Sequence, residues 1–203
     1  MKLTRRHFIG ALGLGAAGAS APAAFARVRT GAAPDLLAQA KAALDSQGAK
    51  VLKRDVVGVV DFSAPSGKPR FQIVDLDNGR VMSSMLVAHG RGSDPANTGF
   101  LQRFSNEPGS NASSSGSFVV GETYVGKYGR SARLHGLDPQ NDMAFDRAIV
   151  IHCADYVSQA MASASGRVGR SFGCFTVPSS DIATVLALLG PGRLLFSART
   201  VSS

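Results

Sequence analysis

The sequence predicts one mainly β domain with a few peripheral α-helices. From Val56 onward, short runs rich in Val, Ile and Phe alternate with polar turns, as strands do. Asn78-Gly79 stands between two apolar runs, a strong short-range hairpin signal. Helical spacing is confined to two stretches, Pro34–Gln47 and Ser180–Leu189. The 203 residues fit one domain, which commonly runs to roughly 100–200 residues. A 44% hydrophobic content excludes a mainly disordered chain, and two cysteines exclude a disulfide-dense scaffold.

Residues 1–26 read as an export address. Lys2, Arg5 and Arg6 precede an acid-free Ala/Gly/Leu stretch that ends at Ala24-Phe25-Ala26, the basic, apolar and A-x-A order of a secretory signal. Thr4-Arg5-Arg6-His7-Phe8-Ile9 resembles the twin-arginine export motif. Pro22 and the abundance of Gly and Ala argue against a retained spanning helix. The expectation is cleavage after Ala26, a linker over 27–33 and a domain over 34–203, located in the periplasm with no stable membrane insertion. Cleavage removes three cations and no acid, so the formal net charge falls from +8 to +5. The remaining cations are scattered, with no aromatic-and-basic stripe and no helix-turn-helix pattern, which speaks against a nucleic-acid partner. A mildly cationic surface suits an anionic envelope polymer better.

Along the domain, Leu36, Leu37, Ala40, Ala43 and Leu44 give the one-sided spacing of an amphipathic helix over Pro34–Gln47. Pro34 starts it, Asp35 lies in the first turn and Gly48 stops it. Strands are expected at Val56–Phe62, Arg70–Leu76 and Val81–Ala88, the last two joined through Asp77-Asn78-Gly79. Residues 89–117 are rich in Gly, Ser and Asn. They read either as a flexible spacer or, because Phe100, Leu101 and Phe104 are embedded there, as a long ordered functional loop. Further strands are expected at Ser117–Val125, Arg133–Leu137, Ala148–His152 and Arg193–Ala198. The second helix would be capped by Ser179 or Ser180 and stopped by Gly190-Pro191.

Outside the signal, the chemically versatile residues are His89, His135, His152, Cys153 and Cys174. In an exported protein a cysteine pair is by default a disulfide. A zinc site finds no C-x-x-C or H-x-x-x-H spacing, and the strand neighbours His152 and Cys153 would point apart. The third reading is a cysteine nucleophile, which needs a base in reach and an oxyanion hole. Gly169-Arg170-Ser171-Phe172-Gly173-Cys174 supplies a sharp turn, with Gly173 leaving room for a carbonyl. His152 closes the apolar run Ala148–Ile151, where a ring can be held at a pocket edge.

Ile149-Val150-Ile151-His152, a spacer, and then Gly169–Cys174 resemble the catalytic domains of murein L,D-transpeptidases (YkuD-like), specifically the branch in which an aromatic replaces the second motif His. His89-Gly90-x-Gly92-Ser93, Phe104-Ser105-Asn106, Ser113–Phe118, Gly126-Lys127-x-Gly129-x-Ser131 and Gly136-Leu137 also fit. The resemblance implies an L,D-transpeptidase-like β-sandwich or mixed sheet. It implies a Cys174 nucleophile acting on peptidoglycan stem peptides at the bond between a diamino acid and D-Ala, with no cofactor and no metal. D-Ala would leave, and an amine would resolve the thioester into a 3→3 cross-link. A hydrolytic L,D-carboxypeptidase or a non-catalytic murein-binding protein with a Cys153–Cys174 disulfide are the alternatives.

By the same resemblance His152 is the base, oriented by a backbone carbonyl at or just after Cys153. Gly173 and Cys174 offer oxyanion N–H groups, and Ser171 shapes the turn or bonds substrate. Arg170, Arg133, His135 and Phe172 are the candidate substrate contacts, with Arg167 a further cation for the stem carboxylate. Phe172 stands where the common motif has His, and Thr176 where it often has Arg or Asn. Strand alternation would turn Cys153 into the core, away from Cys174.

Overall fold

The computed structural model describes residues 34–200. The expected signal and linker, residues 1–33, lie outside them. Helix α1 (Pro34–Gln47) is followed by strands β1 (Val56–Asp61), β2 (Phe71–Asp75) and β3 (Arg80–Met85). After a long loop come β4 (Gly116–Gly126), β5 (Gly129–Gly136), β6 (Val150–Cys153), α2 (Gln159–Ser165), β7 (Phe175–Val177), α3 (Ile182–Leu188) and β8 (Leu194–Ala198). All eight strands form one mixed sheet in the order β3-β2-β1-β8-β4-β5-β6-β7. The mainly β expectation holds, in the mixed-sheet form. Pairings are antiparallel except β1 with β8 and β6 with β7.

The two faces of β1 explain why it is buried throughout. Val56 and Val60 enter the main core, with Phe62, Phe71, Phe118, Ile151 and Phe175. Val57 and Val59 point the other way, onto Leu36, Ala40 and Leu44 of α1. With a period of two in the strand and 3.6 in the helix, one strand serves two cores and one helix stripe closes the second. Among the described residues no helix is long and apolar enough to cross a membrane.

The sheet curls until its two edges meet. The chain leaving β3, at one edge, bridges β7 at the other through Ala88 and Thr176, and Gly90 pairs with Ser171. This corrects the third expected strand. Regular pairing with β2 ends at Met85, and Leu86–Ala88 turn instead toward the far edge. The bridge places the His89 region directly against the Gly169–Cys174 turn.

Two elements escaped the sequence reading. Helix α2 is only seven residues long and buries Ala162 alone, so it has no apolar stripe to detect. It is defined by its ends: Ser158 Oγ accepts from Met161 N–H, and Gly166 closes it at φ +70. Strand β7 is three residues long, with Phe175 and Val177 in the core and Thr176 wholly buried between them. The cap of α3 is also corrected. Its N-cap is Asp181, not Ser179 or Ser180, and no side chain bonds the helix start.

The 89–115 segment is an ordered loop. Ser93 Oγ accepts from Ser113 N–H, Ser113 Oγ accepts from Gly90 N–H, and Leu101 is buried. Phe104 packs edge-on against Phe62, 5.8 Å between ring centroids.

Candidate functional site

The turn that carries Cys174 is built from its own side chains. Ser171 Oγ donates to Cys174 O at 2.8 Å and accepts from Gly173 N–H at 3.1 Å. Ser171 N–H donates to His89 O, and Arg91 N–H to Ser171 O, so the turn is stitched to the chain leaving β3. Gly173 is required here for two reasons. Its φ is +118, and a Cβ would stand 2.7 Å from Ala112 O and 2.8 Å from Ile149 Cδ1. The Gly173 N–H is taken by Ser171. Of the two expected oxyanion donors, only the Cys174 N–H is not tied into the turn.

Beside the turn lies a cavity of about 460 Å³, lined by Cys174, Phe172 and Arg170 together with His152 and Tyr156. The β4–β5 hairpin adds Lys127 and Tyr128 to the lining, and Arg147 and Ala148 belong to it as well. Three cations line it and no carboxylate does. The Cys174 thiol donates to Ala148 O at 3.6 Å. Burial pushes its pKa up, while N–H groups of Val150 and Cys174 and the charges of Arg147 and Lys127 pull the other way.

His152 sits at the end of β6 with both ring nitrogens engaged. Nδ1 is 2.9 Å from Cys153 O, one of the carbonyl positions the family resemblance implied. A carbonyl only accepts, so the proton of the neutral ring is on Nδ1 and Nε2 is the acceptor. Thr176 Oγ1 fills Nε2 at 3.0 Å, and Tyr156 Oη donates to Thr176 Oγ1 at 3.3 Å. The ring stacks on Tyr128 at 4.4 Å. Burial lowers the His152 pKa, Lys127 lowers it further, and the Cys153 carbonyl opposes both. Cys174 and His152 therefore line one cavity, each hydrogen-bonded to a group other than its counterpart.

The remaining candidates divide. Arg170 lines the cavity while its guanidinium bonds Asp94 O and Pro95 O. Phe172 lines it too, 56% exposed, with the Arg91 guanidinium 4.2 Å above its ring. Arg133 lies outside the lining, paired with Glu122 at 2.9 Å and stacked over Tyr124. His135 stacks on Phe145 at 4.9 Å, also outside. Arg167 packs beside Gly99, likewise off the cavity. Cys153 is half-buried against the main core with its thiol toward Tyr128 O, and both cysteines are free. Among the described residues no group of three His, Cys, Asp or Glu could hold a metal.

Sequence reasoning missed Arg147, Tyr156 and the placement of Thr176. Arg147 donates to Ser105 O, Ser114 Oγ, Ser110 Oγ and Ala112 O, so one side chain gathers the Ser-rich loop at the cavity wall. Nothing in its local sequence marks it, because all four partners lie 33 to 42 residues away. Ala148 beside it holds φ +54, an uncommon conformation for alanine that aims its carbonyl at the thiol.

A family model described as the L,D-transpeptidase catalytic domain matches residues 29–197. The chain belongs to that family. Among solved structures it is similar to the L,D-transpeptidase from Mycobacterium smegmatis, at 13% identity and a TM-score of 0.44, covering 71% of this chain and 58% of that one. An L,D-transpeptidase from Mycobacterium tuberculosis gives 15% identity and 0.45, over 71% and 57%. L,D-transpeptidase 3 of the same organism, solved with a faropenem-derived adduct, gives 15% and 0.44, over 70% and 60%. This L,D-transpeptidase domain thus spans less than two thirds of those chains. Among curated proteins none matches.

Proposed function

We propose that the chain is a cysteine-dependent L,D-transpeptidase of peptidoglycan. Cys174 attacks the carbonyl between the diamino acid and the terminal D-Ala of a tetrapeptide stem. The C–N bond breaks, D-Ala leaves and a thioester forms on Sγ. His152 takes the thiol proton and passes it to the leaving amine, the dual role of a positioned base. An amine of a second stem then attacks the thioester and restores the thiol, leaving a 3→3 cross-link. The observation that carries this reading is the juxtaposition of Cys174 and His152 on one cavity whose other charges are all positive.

The Cys174 N–H supports the oxyanion, while Ser171 holds the turn rather than touching substrate. Arg170 and Phe172 meet the stem, Arg170 through its carboxylate. Arg133 and His135, off the cavity wall, would act on an extended substrate only. The free cysteines give no support to the alternative of a murein-binding protein locked by a disulfide. Export through the twin-arginine route and a periplasmic location remain part of the proposal, resting on residues 1–26.

The test is mass spectrometry of a disaccharide-tetrapeptide incubated with the mature chain and with Cys174→Ala. Loss of D-Ala with formation of a dimer is expected from the wild type, and loss of D-Ala without a dimer identifies water as the acceptor. Release of D-Ala by the variant at the wild-type rate removes Cys174 from the mechanism. A carbapenem adduct on Cys174 of the intact protein is expected as a second readout.

A further inference from the structure

We propose that Thr176 and Tyr156 form a switchable hydroxyl pair that holds His152 in its base tautomer and receives the displaced hydrogen bond while the ring works. This deepens the reading of His152 as base and rests on it. Thr176 lies opposite His152 in the parallel β6–β7 register and is wholly buried. Its hydroxyl is 3.0 Å from Nε2 and 3.3 Å from Tyr156 Oη. Tyr156 is itself fixed: its carbonyl accepts from Gly169 N–H at 2.7 Å, and a Cβ on Gly169 would stand 2.7 Å from Tyr156 Cβ.

The direction of each bond follows from the donor inventory. Cys153 O obliges Nδ1 to carry the ring proton, so the Thr176 hydroxyl donates to Nε2 and accepts from the Tyr156 hydroxyl. While that bond stands, the Nε2 lone pair is occupied and the thiol is bonded to Ala148 O. For the base to act, Thr176 must release the lone pair without leaving its own proton unpaired in a buried site. Tyr156 Oη provides the place: the Thr176 O–H turns to it, and the Tyr156 O–H turns into the cavity that its ring lines. The S–H bond then breaks and the Nε2–H bond forms. Both hydroxyl O–H bonds stay intact and only rotate. The imidazolium now has Thr176 Oγ1 as an acceptor until the leaving amine takes its proton. Thr176 is thus a positioning residue. The other groups facing the ring are Tyr128, stacked on it, and Lys127, whose charge opposes protonation.

The experiment compares wild type, Thr176→Val, Thr176→Ser and Tyr156→Phe in the mature chain. D-Ala release is measured across pH, and the His152 ring nitrogens are followed by 15N NMR. Thr176→Val keeps the shape and removes the hydroxyl. Its kcat is expected to fall by about tenfold to a hundredfold with KM changed less than about twofold, the scale of one hydrogen bond to a charged group. Thr176→Ser restores kcat to within about threefold of wild type, and Tyr156→Phe falls between. The His152 titration moves to lower pH in Thr176→Val, because the charged ring loses more than the neutral one. A Thr176→Val enzyme with wild-type kcat and titration overturns the proposal, as does a Thr176→Ser enzyme as slow as Thr176→Val. If the wild type releases no D-Ala, the function fails, yet the NMR comparison still reads the hydroxyl pair.

Discussion

His89 and His152 are both buried, and each lies one hydrogen bond from the segment around Cys174, yet their environments prepare them for opposite roles. His89 accepts from Arg70 Nη2 on Nδ1 at 2.8 Å and faces Asp94 Oδ2 from Nε2 at 3.4 Å. Burial, then Arg70, push its pKa down to about 4, with Asp94 opposing. Burial also brings the Arg70 pKa down to about 9, and its guanidinium covers the Phe62 ring while bonding Val87 O and Ala64 O. Asp94 in turn accepts from the N–H groups of Thr98 and Gly99. This cluster is an ionic network whose members are hydrogen-bonded to one another and to the backbone. It fixes the chain to which Ser171 is stitched. His152 instead has a carbonyl and a hydroxyl on its ring nitrogens, an aromatic face against the ring, and a cavity beside it from which the Lys127 charge acts. Ionic partners on both nitrogens lock a ring, whereas a neutral hydroxyl partner can let go.

That contrast can be broken most sharply by exchanging the two losses. His152→Gln is expected to cost about two to four orders of magnitude in D-Ala release with little change in the thermal midpoint. His89→Leu leaves buried Arg70 and Asp94 without their bridge and is expected to cost about 3 kcal/mol in urea unfolding, with activity per folded molecule largely kept. A His89 variant that is stable but inactive would place the network in the chemistry and end the distinction.

The pH dependence of stability sharpens it further. The folded His89 pKa, about 4, lies below the ordinary histidine value of 6.5. Between these values the unfolded chain binds a proton that the folded one does not. Stability therefore falls as pH drops from 6.5 to about 4 and levels off below, by about 3 kcal/mol for this group. His152, also lowered, acts in the same direction. Urea midpoints against pH should show this acid limb in wild type and a shallower one in His89→Leu. An unchanged limb would mean that His89 is not held neutral.

A smaller effect is expected at Arg147, whose charge favours the Cys174 thiolate and whose four hydrogen bonds hold the Ser-rich loop. Arg147→Gln should shift the pH profile of Cys174 alkylation by iodoacetamide to higher pH and raise amide exchange over residues 105–114. Alkylation at the wild-type pH profile would show that this cation does not tune the thiol.

The site was legible where its chemistry is local. Gly173 and Cys174 announce a tight turn carrying the proposed nucleophile, and His152 closes an apolar run; both signals lie within a few adjacent residues. Arg147 was invisible because its partners come from a loop more than thirty positions earlier. Arg133 and His135 looked equivalent to Arg170 as polar residues near matching segments. Their tertiary partners separate them: Arg133 is taken by Glu122 and His135 by Phe145, whereas Arg170 lines the cavity. The expectation of a buried Cys153 is met only in part: it is free and packs against the main core, but it is half-buried.

Alone, the sequence determined the mainly β class, α1 over Pro34–Gln47, the β2–β3 hairpin at Asn78-Gly79 and the pairing of a Gly-Cys turn with an upstream histidine. Periodicity, turn chemistry and the steric freedom of glycine act over a few residues, so they are written in the chain itself. The tertiary structure decided that β3 leaves its partner at Met85 to reach β7, that the Gly173 N–H belongs to Ser171, and that Thr176 meets Nε2 of His152. Those outcomes depend on which distant strands share an edge. That choice is made by burying two opposed faces of one curled sheet at once, and no local window of residues contains it.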